Sequence, residues 1–196
     1  MKRFTRALLS TAALALAAAL PVQAMDVSGT KIEDTATVAG KNLVLNGAGI
    51  RYKVVKVYVV GLYLTEKKGD TAGVLATPGP KRFKIVALRE ISSDEFGQAL
   101  LTGINKNLDK DEKSKFVNQL VKLGELFTEI DAVRKGDIIT GDFNPATGTT
   151  FAINGKQVGS VLPDPAFYSA ILRIWLGSSP ADPTLKPLLL GEKPDV

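Results

Sequence analysis

Histidine and cysteine are both absent from the 196-residue sequence. Without histidine the chain cannot form a serine–histidine or cysteine–histidine nucleophile, and it lacks the usual general base near neutral pH. The commonest protein ligands of zinc are missing as well. Any acid–base chemistry would have to come from Asp, Glu, Lys or Tyr, and we expect neither a metal nor a redox cofactor.

The carboxylates show no metal-ligand spacing either. Asp94 with Glu95, and Asp109 with Asp111 and Glu112, lie among serines and lysines at apparent helix starts. Acidic side chains interact favourably with the helix dipole at that end. These groups therefore predict helix capping, and no calcium-loop spacing is visible.

The net positive charge is small once residues 1–24 are set aside. The formal net charge is +5, and Lys2, Arg3 and Arg6 account for three of these charges with no acid among residues 1–24. The remainder shows no dense stripe of Lys and Arg with interleaved aromatic residues, which nucleic-acid binding would require. We expect no nucleic-acid partner.

The N-terminal segment has the pattern of a secretory signal peptide. Basic residues precede an apolar run at 7–20, and a small-residue cleavage site ends at Ala24. The run is too short to span a bilayer comfortably, no later stretch predicts a membrane span, and no cysteine is present for lipid attachment. We predict a signal peptide at 1–24, a single domain at 25–196 and a periplasmic location in a bacterium.

The longest β-branched and aromatic run extends over residues 47–64. Eleven of its eighteen residues are Val, Ile, Leu or Tyr, which fit the half-buried surface of a sheet. The run predicts a central strand, with Ile50 to Leu64 continuous. Lys53 and Lys56 are expected to reach solvent, whereas a charge at Arg51 is costly in a sheet core unless it is paired or binds a ligand.

Elsewhere, segments with period two alternate with segments of helical period. The former predict strands at 42–46, 82–88, 137–143, 149–153 and 156–161, the last two joined by an Asn154-Gly155 hairpin turn. The latter predict helices that begin near Ser92, which has capping-box spacing to Glu95, near 109–112, at Pro165 and at Pro183. This order predicts an α+β fold with one antiparallel sheet and helices on one face.

Four motifs resemble those of the chalcone isomerase-like family. They are GAGIR at 47–51, KVYVVGLYL at 56–64, NGKQVG at 154–159 and ILRIWLGSSP at 171–180, in the family's order across essentially the whole mature chain. The resemblance implies an open-faced β-sandwich, in which a large antiparallel sheet and a layer of helices enclose a ligand cleft. The family includes plant flavonoid isomerases, plant fatty-acid-binding proteins and bacterial members.

The resemblance also assigns individual positions. Arg51 falls on the arginine with which the isomerases hold substrate, and Tyr58 falls where isomerases carry threonine and fatty-acid-binding members carry tyrosine. The isomerases' catalytic tyrosine, asparagine and late-helix hydroxyl residue correspond to Phe96, Gly103 and Ile174. One of five positions keeps its group, so the resemblance disfavours isomerase activity.

An arginine and a tyrosine at the end of an apolar cleft suit a long-chain carboxylate, because both donate hydrogen bonds to its oxygens. We expect the cleft to be lined by Phe96, Leu100 and Ile104. A tail of some twelve carbons contributes on the order of 10 kcal/mol gross at about 0.8 kcal/mol per methylene, against roughly 1.5 to 3 kcal/mol for one charged hydrogen bond. The tail would supply affinity, and Arg51 orientation.

The residues leave other roles for the pair open. Arg51 has an alternative role in an internal ion pair with Glu66 or Glu90, with Tyr58 as ordinary strand filler. In an unbroken strand, positions 51 and 58 face opposite sides of the sheet, and a turn or bulge near 53–56 would restore a common face.

Three functions follow, in order of preference. The first is a non-catalytic periplasmic binding protein for a fatty acid or a similar amphipathic carboxylate. The alternative is a protein-interaction domain without a small ligand, for which an exposed Trp175 and its helix would form the surface. The third is an isomerase- or lyase-type enzyme on the same fold.

Overall fold

A computed structural model describes residues 24–193, so that the predicted signal peptide, apart from Ala24, lies outside the described residues. The strands are β1 (Ala24–Val27), β2 (Thr30–Glu33), β3 (Thr35–Val38), β4 (Lys41–Tyr52), β5 (Lys56–Leu64), β6 (Lys81–Ala87), β7 (Ile91–Ser92), β8 (Ala132–Val133), β9 (Ile138–Asn144), β10 (Gly148–Ile153) and β11 (Lys156–Leu162). The helices are α1 (Thr71–Ala76), α2 (Ser93–Lys106), α3 (Lys110–Lys115), α4 (Val117–Leu126), α5 (Pro165–Leu176) and α6 (Leu185–Leu189), and a 3₁₀ turn at Phe127–Glu129 follows α4.

Seven strands form one sheet in the order β11-β10-β9-β6-β5-β4-β3. Every neighbouring pair in it is antiparallel. The predicted α+β fold with a large antiparallel sheet is therefore confirmed, and the last three predicted strands form the meander β9-β10-β11. Two short pairs, β1–β2 and β7–β8, stand outside this sheet.

Side-chain alternation along the strands gives the sheet two apolar faces. Even-numbered positions of β5, such as Val60 and Leu62, join the main core with α2 and α5. Odd-numbered positions, such as Val59 and Tyr63, pack beneath the β1–β2 hairpin against Ile32. The helices cover one face as predicted, and the β1–β2 hairpin, which was not predicted, covers part of the other.

The prediction of one continuous strand over 50–64 is wrong. A tight turn at 53–55 separates β4 from β5, and Lys53 N donates to Val55 O across it at 3.2 Å. Turns are usually recognised by Gly, Pro, Asn or Asp, and this one has none of them. Its valines have strong β propensity, so the sequence pattern predicted a continuous strand where the chain reverses direction.

The helix boundaries follow the predicted caps closely. Ser92 Oγ accepts a hydrogen bond from Glu95 N at 3.1 Å at the start of α2, and Asp164 caps α5 ahead of Pro165. The predicted second helix is divided at Phe116, and α3 begins with a capping box between Asp109 and Glu112. The predicted capping residues Ser92, Asp109 and Glu112 therefore mark the starts of α2 and α3.

The C-terminal segment lies directly on β4. A Cβ atom at Gly47 would lie 2.1 Å from Leu188 O, so glycine is what allows α6 to approach the strand. Asn46 Nδ2 fixes the same contact by donating to Leu189 O at 2.7 Å. This packing brings the chain from α5 to α6 beside the end of β4.

Candidate functional site

A cavity of about 450 Å³ lies between the β4–β5 hairpin, α2 and the end of α5. Its volume is in the usual range of small-molecule sites, roughly 300–1,000 Å³. The walls are mainly apolar and include Val57, Phe96, Ala99, Leu100, Ile174 and Pro180. A smaller group of polar and charged side chains comes from both the hairpin and α2, as expected of a site that both holds and orients a ligand.

Arg51 and Tyr58 line this cavity together. They are directly opposite each other in the β4–β5 register, and opposed residues of an antiparallel pair project from the same face with Cβ atoms about 4.5–5.5 Å apart. The turn at 53–55 therefore gives the two side chains the common face that a continuous strand would deny them.

Arg51 has no carboxylate oxygen within 4.0 Å among the described residues. Its Nη1 donates to the backbone oxygen of the adjacent Tyr52. Glu66 pairs instead with Lys68 at 2.7 Å, so the ion pairs considered for Arg51 do not form in this structure. Most of the guanidinium's donors remain available.

Asp182 is a carboxylate whose field reaches Arg51. Its oxygens accept from Tyr52 N at 3.0 Å and from Thr184 N and Oγ1 at 3.0 and 2.7 Å. Burial alone would raise the pKa of Asp182, but these hydrogen bonds and the Arg51 charge outweigh it and lower the pKa. Asp182 stays ionised, and its oxygens are occupied by the loop that it organises.

Tyr58 is buried at the floor of the cavity, and its hydroxyl oxygen accepts from Trp175 Nε1 at 3.0 Å. Burial raises the pKa of Tyr58, although the hydrogen bond from Trp175 and both the charge and a hydrogen bond of Arg51 act in the opposite direction. The hydroxyl therefore keeps its proton at neutral pH. That proton has no acceptor among the described residues, so that it can be donated to a ligand.

The other predicted site residues divide into two groups. Phe96 and Leu100 line the cavity, and Phe96 packs edge-on against Phe127 with ring centroids 5.6 Å apart. Ile104 does not line it but is fully buried in the core. A Cβ atom at Gly103 would lie 2.9 Å from Ile174 Cγ2, so Ile174 packs directly against α2 at the residue that precedes Ile104.

The expectation of an exposed Trp175 is wrong, because only 2% of its surface is exposed. Its ring packs against Phe83 at a centroid distance of 5.1 Å, and its N–H is bonded to Tyr58. Trp175 lies four residues after Ile171, on the same apolar face of α5. That signal was sufficient to predict its burial.

Two cations at the cavity, Lys53 and Lys106, were not predicted to belong to the site. Glu95 also lines it and forms a two-point ion pair with Arg89, at 2.5 and 3.0 Å. The Arg89 hydrogen bond lowers the pKa of Glu95, which stays charged but locally compensated. The cavity therefore has an excess of positive charge that favours an anionic ligand.

The described residues include no group of three or more His, Cys, Asp or Glu that could hold a metal ion. Within the same residues, no helix has the length and apolar character needed to cross a membrane.

These features define an α+β protein with a ligand-sized, cation-bearing cavity between a sheet and its helical layer. The profile of the family described as chalcone isomerase-like matches residues 24–191. The chain belongs to the chalcone isomerase-like family, as its four motifs predicted.

Among solved structures, the chain is similar to the crystal structure of a fatty-acid binding protein from Arabidopsis thaliana. The TM-score is 0.68 at 16% sequence identity, and the likeness covers 83% of this chain and 92% of the plant chain. At this identity the comparison establishes the shared fold. No curated protein matches the sequence significantly.

Proposed function

We propose that the protein is a non-catalytic binding protein for a fatty acid or a similar amphipathic carboxylate. The observation that carries the proposal is the pairing of Arg51 and Tyr58 on the wall of an apolar cavity, with unengaged donors on both. The guanidinium offers a planar fork to a carboxylate, and the tyrosine hydroxyl offers a further donor. The structural likeness to a plant fatty-acid binding protein supports the same ligand class.

The positions that correspond to isomerase catalytic groups favour binding over catalysis. Phe96, Gly103 and Ile174 all line the cavity, where the isomerases would place a hydroxyl, an amide and a second hydroxyl. Stabilising the developing oxyanion of a ring closure requires donors at such positions. An apolar wall in their place suits a hydrocarbon tail.

Titration of Arg51→Ala with a fluorescent long-chain fatty acid tests the anchor. The loss of one charge-assisted interaction, roughly 1.5 to 3 kcal/mol, raises the Kd by about 10- to 150-fold. The free energy of unfolding without ligand should change by less than about 0.5 kcal/mol, because Arg51 has no carboxylate partner.

Lys156→Ala is the matched control, since it removes an exposed cation from β11 that does not line the cavity. It should leave both quantities unchanged. An Arg51→Ala protein that loses several kcal/mol of stability and binds fatty acid normally would refute the anchor. Mass spectrometry of lipids extracted from the purified protein gives an independent test, and an amphipathic carboxylate is the expected finding.

We propose further that the protein is exported to the periplasm. The basic start, the apolar run at 7–20 and the cleavage site at Ala24 support this location. N-terminal sequencing of protein from a periplasmic extract should return Met25, and a start at Met1 or Lys2 would overturn the proposal.

A further inference from the structure

The turn at 53–55 presents an unusual apolar tip to solvent. Val54 is 94% exposed and Val55 56%, and the adjacent Tyr52 is 47% exposed. Single exposed apolar residues are common on protein surfaces. Three of them clustered on one protruding turn form a patch that the fold itself does not need, because none of them packs into either core cluster.

The same tip is basic. Lys53 and Lys56 flank the valines, and Arg51 precedes them, without an acidic residue anywhere in 51–60. Lys56 Nζ donates to Ser28 Oγ at 2.5 Å, a neutral partner that leaves the charge uncompensated.

Two carboxylates have fields that reach this end. Glu95 is paired with Arg89, which compensates its charge. Asp182 keeps its negative charge, because Tyr52 N and Thr184 are neutral donors, and it offsets part of the Arg51 charge. Lys53 and Lys56 still leave the tip with net positive charge around its apolar apex.

We propose that this tip docks the protein on a bilayer surface that carries anionic lipids. Valine and tyrosine side chains enter the interface between head groups and acyl chains, and the flanking lysines contact the anionic head groups. Neither contribution is large by itself, so binding is reversible. The surface is complementary in both charge and polarity to such a bilayer, whereas a protein partner would require no such combination.

The position of the tip connects docking to the cavity. Arg51 and Lys53 belong to the tip and also line the cavity, so a docked protein has its cavity beside the head groups. Here the inference rests on the proposed function: an amphipathic carboxylate could pass between membrane and cavity without crossing bulk water.

The test measures partition of the purified protein onto vesicles of phosphatidylcholine with and without phosphatidylglycerol. Intact mass first establishes the N-terminus, because the apolar run at 7–20 would bind lipid if it were retained. We expect the protein to bind the anionic vesicles, and we expect this binding to weaken as the salt concentration rises. Replacing both valines (Val54→Ser with Val55→Ser) should reduce the partition coefficient about tenfold.

Val117 and Val121 on α4 provide the matched control, because they are 53% and 55% exposed and lie outside the tip. Val117→Ser with Val121→Ser should leave partition unchanged. Lys53→Ala with Lys56→Ala should reduce partition onto anionic vesicles by roughly fivefold per lysine and should weaken the preference for these vesicles over neutral ones. Melting temperatures verify that all three variants are folded.

Equal loss in the two valine variants, equal partition onto neutral vesicles, or no partition of the parent protein would each overturn the inference. A tip that binds a protein instead would give the last of these results. The measurement is made on lipid-free protein, so vesicle docking without fatty-acid binding would refute only the proposed function. Fatty-acid binding without vesicle docking would refute only the proposal that the tip docks on a membrane.

Discussion

Two arginines of the sheet lie opposite a residue of a neighbouring strand, and their surroundings differ. Arg82 of β6 faces Asp142 of β9 and donates to both carboxylate oxygens, at 2.6 and 2.5 Å. Arg51 of β4 faces Tyr58, which offers no negative charge. The first guanidinium stabilises the sheet, and the second has no carboxylate partner among the described residues. The cross-strand partner, and not the strand position, separates the two roles.

Two buried tyrosines show the same division. Burial raises the pKa of both Tyr58 and Tyr168, so both keep their protons. Tyr168 uses its proton within the fold, because its hydroxyl donates to Gly141 O at 3.0 Å. The Tyr58 hydroxyl instead accepts from Trp175, and its own proton remains free for the cavity.

Replacing Arg82 gives the largest expected effect. Arg82→Ala leaves Asp142 unpaired with only about a fifth of its side chain exposed, which should lower the free energy of unfolding by roughly 2 to 4 kcal/mol, somewhat below the cost at a fully buried pair. Chemical denaturation measures it, and fatty-acid affinity per folded molecule should not change. If Arg82→Ala lowered the free energy of unfolding by less than about 0.5 kcal/mol, the ion pair with Asp142 would not distinguish Arg82 from Arg51 in stabilising the fold.

Paired tyrosine variants sharpen the second contrast. Tyr58→Phe strands the buried Trp175 N–H and should cost about 1–3 kcal/mol of stability, whereas Tyr168→Phe removes one hydrogen bond and should cost about 0.5–1.5 kcal/mol. Only Tyr58→Phe should also weaken fatty-acid binding, by roughly 5- to 10-fold, in isothermal titration. An equal loss of affinity in both variants would count against a direct role for Tyr58.

Much of this fold was predictable because local signals agreed with one another. The cap at Ser92, the start of α5 at Pro165 and the hairpin at Asn154-Gly155 each require a particular residue type, and the structure has all three where they were predicted. The turn at 53–55 was missed because its residues favour strand and it contains no turn former.

The site was predictable only in part. Four of the predicted residues line the cavity: Arg51, Tyr58, Phe96 and Leu100. The first two were predicted from the family resemblance, and the other two from their shared face of one predicted helix. The involvement of Asp182 was not predictable, because it depends on how the segment after α5 lies beside β4, some 130 residues away in sequence. Contacts of this range leave no periodic pattern in the chain.

Phe96 separates the cavity from a small apolar void lined by Leu126, Phe127 and Ile130. Phe96→Ala should join the two spaces and favour longer acids, by up to about fourfold in relative affinity for each additional methylene buried. A series of saturated acids of increasing length measures the shift. Leu101→Ala, on the same helix but lining neither space, is the control and should keep the parent length profile.

Replacing Glu33 has the smallest expected effect, and it tests whether a second ion pair stabilises the sheet as the Arg82–Asp142 pair does. It forms an ion pair with Lys84 on the sheet face away from the cavity. Burial alone would raise the pKa of Glu33, but the hydrogen bond from Lys84 outweighs it, and the pKa is lowered. A carboxylate with a lowered pKa stabilises the fold above its unfolded pKa, near 4.3, and loses that contribution as the pH falls through its folded pKa.

Glu33→Gln should therefore lower the free energy of unfolding by less than about 1 kcal/mol at pH 7, because the side chain is nearly half exposed. The difference from the parent protein should shrink as the pH falls below about 4 and vanish in stronger acid. Urea denaturation across this pH range measures it, with fatty-acid affinity at pH 7 unchanged. A difference that persisted or grew in acid would mean that the side chain contributes by packing and not by charge, and the role of ion pairs on this face would then rest on Arg82 and Asp142.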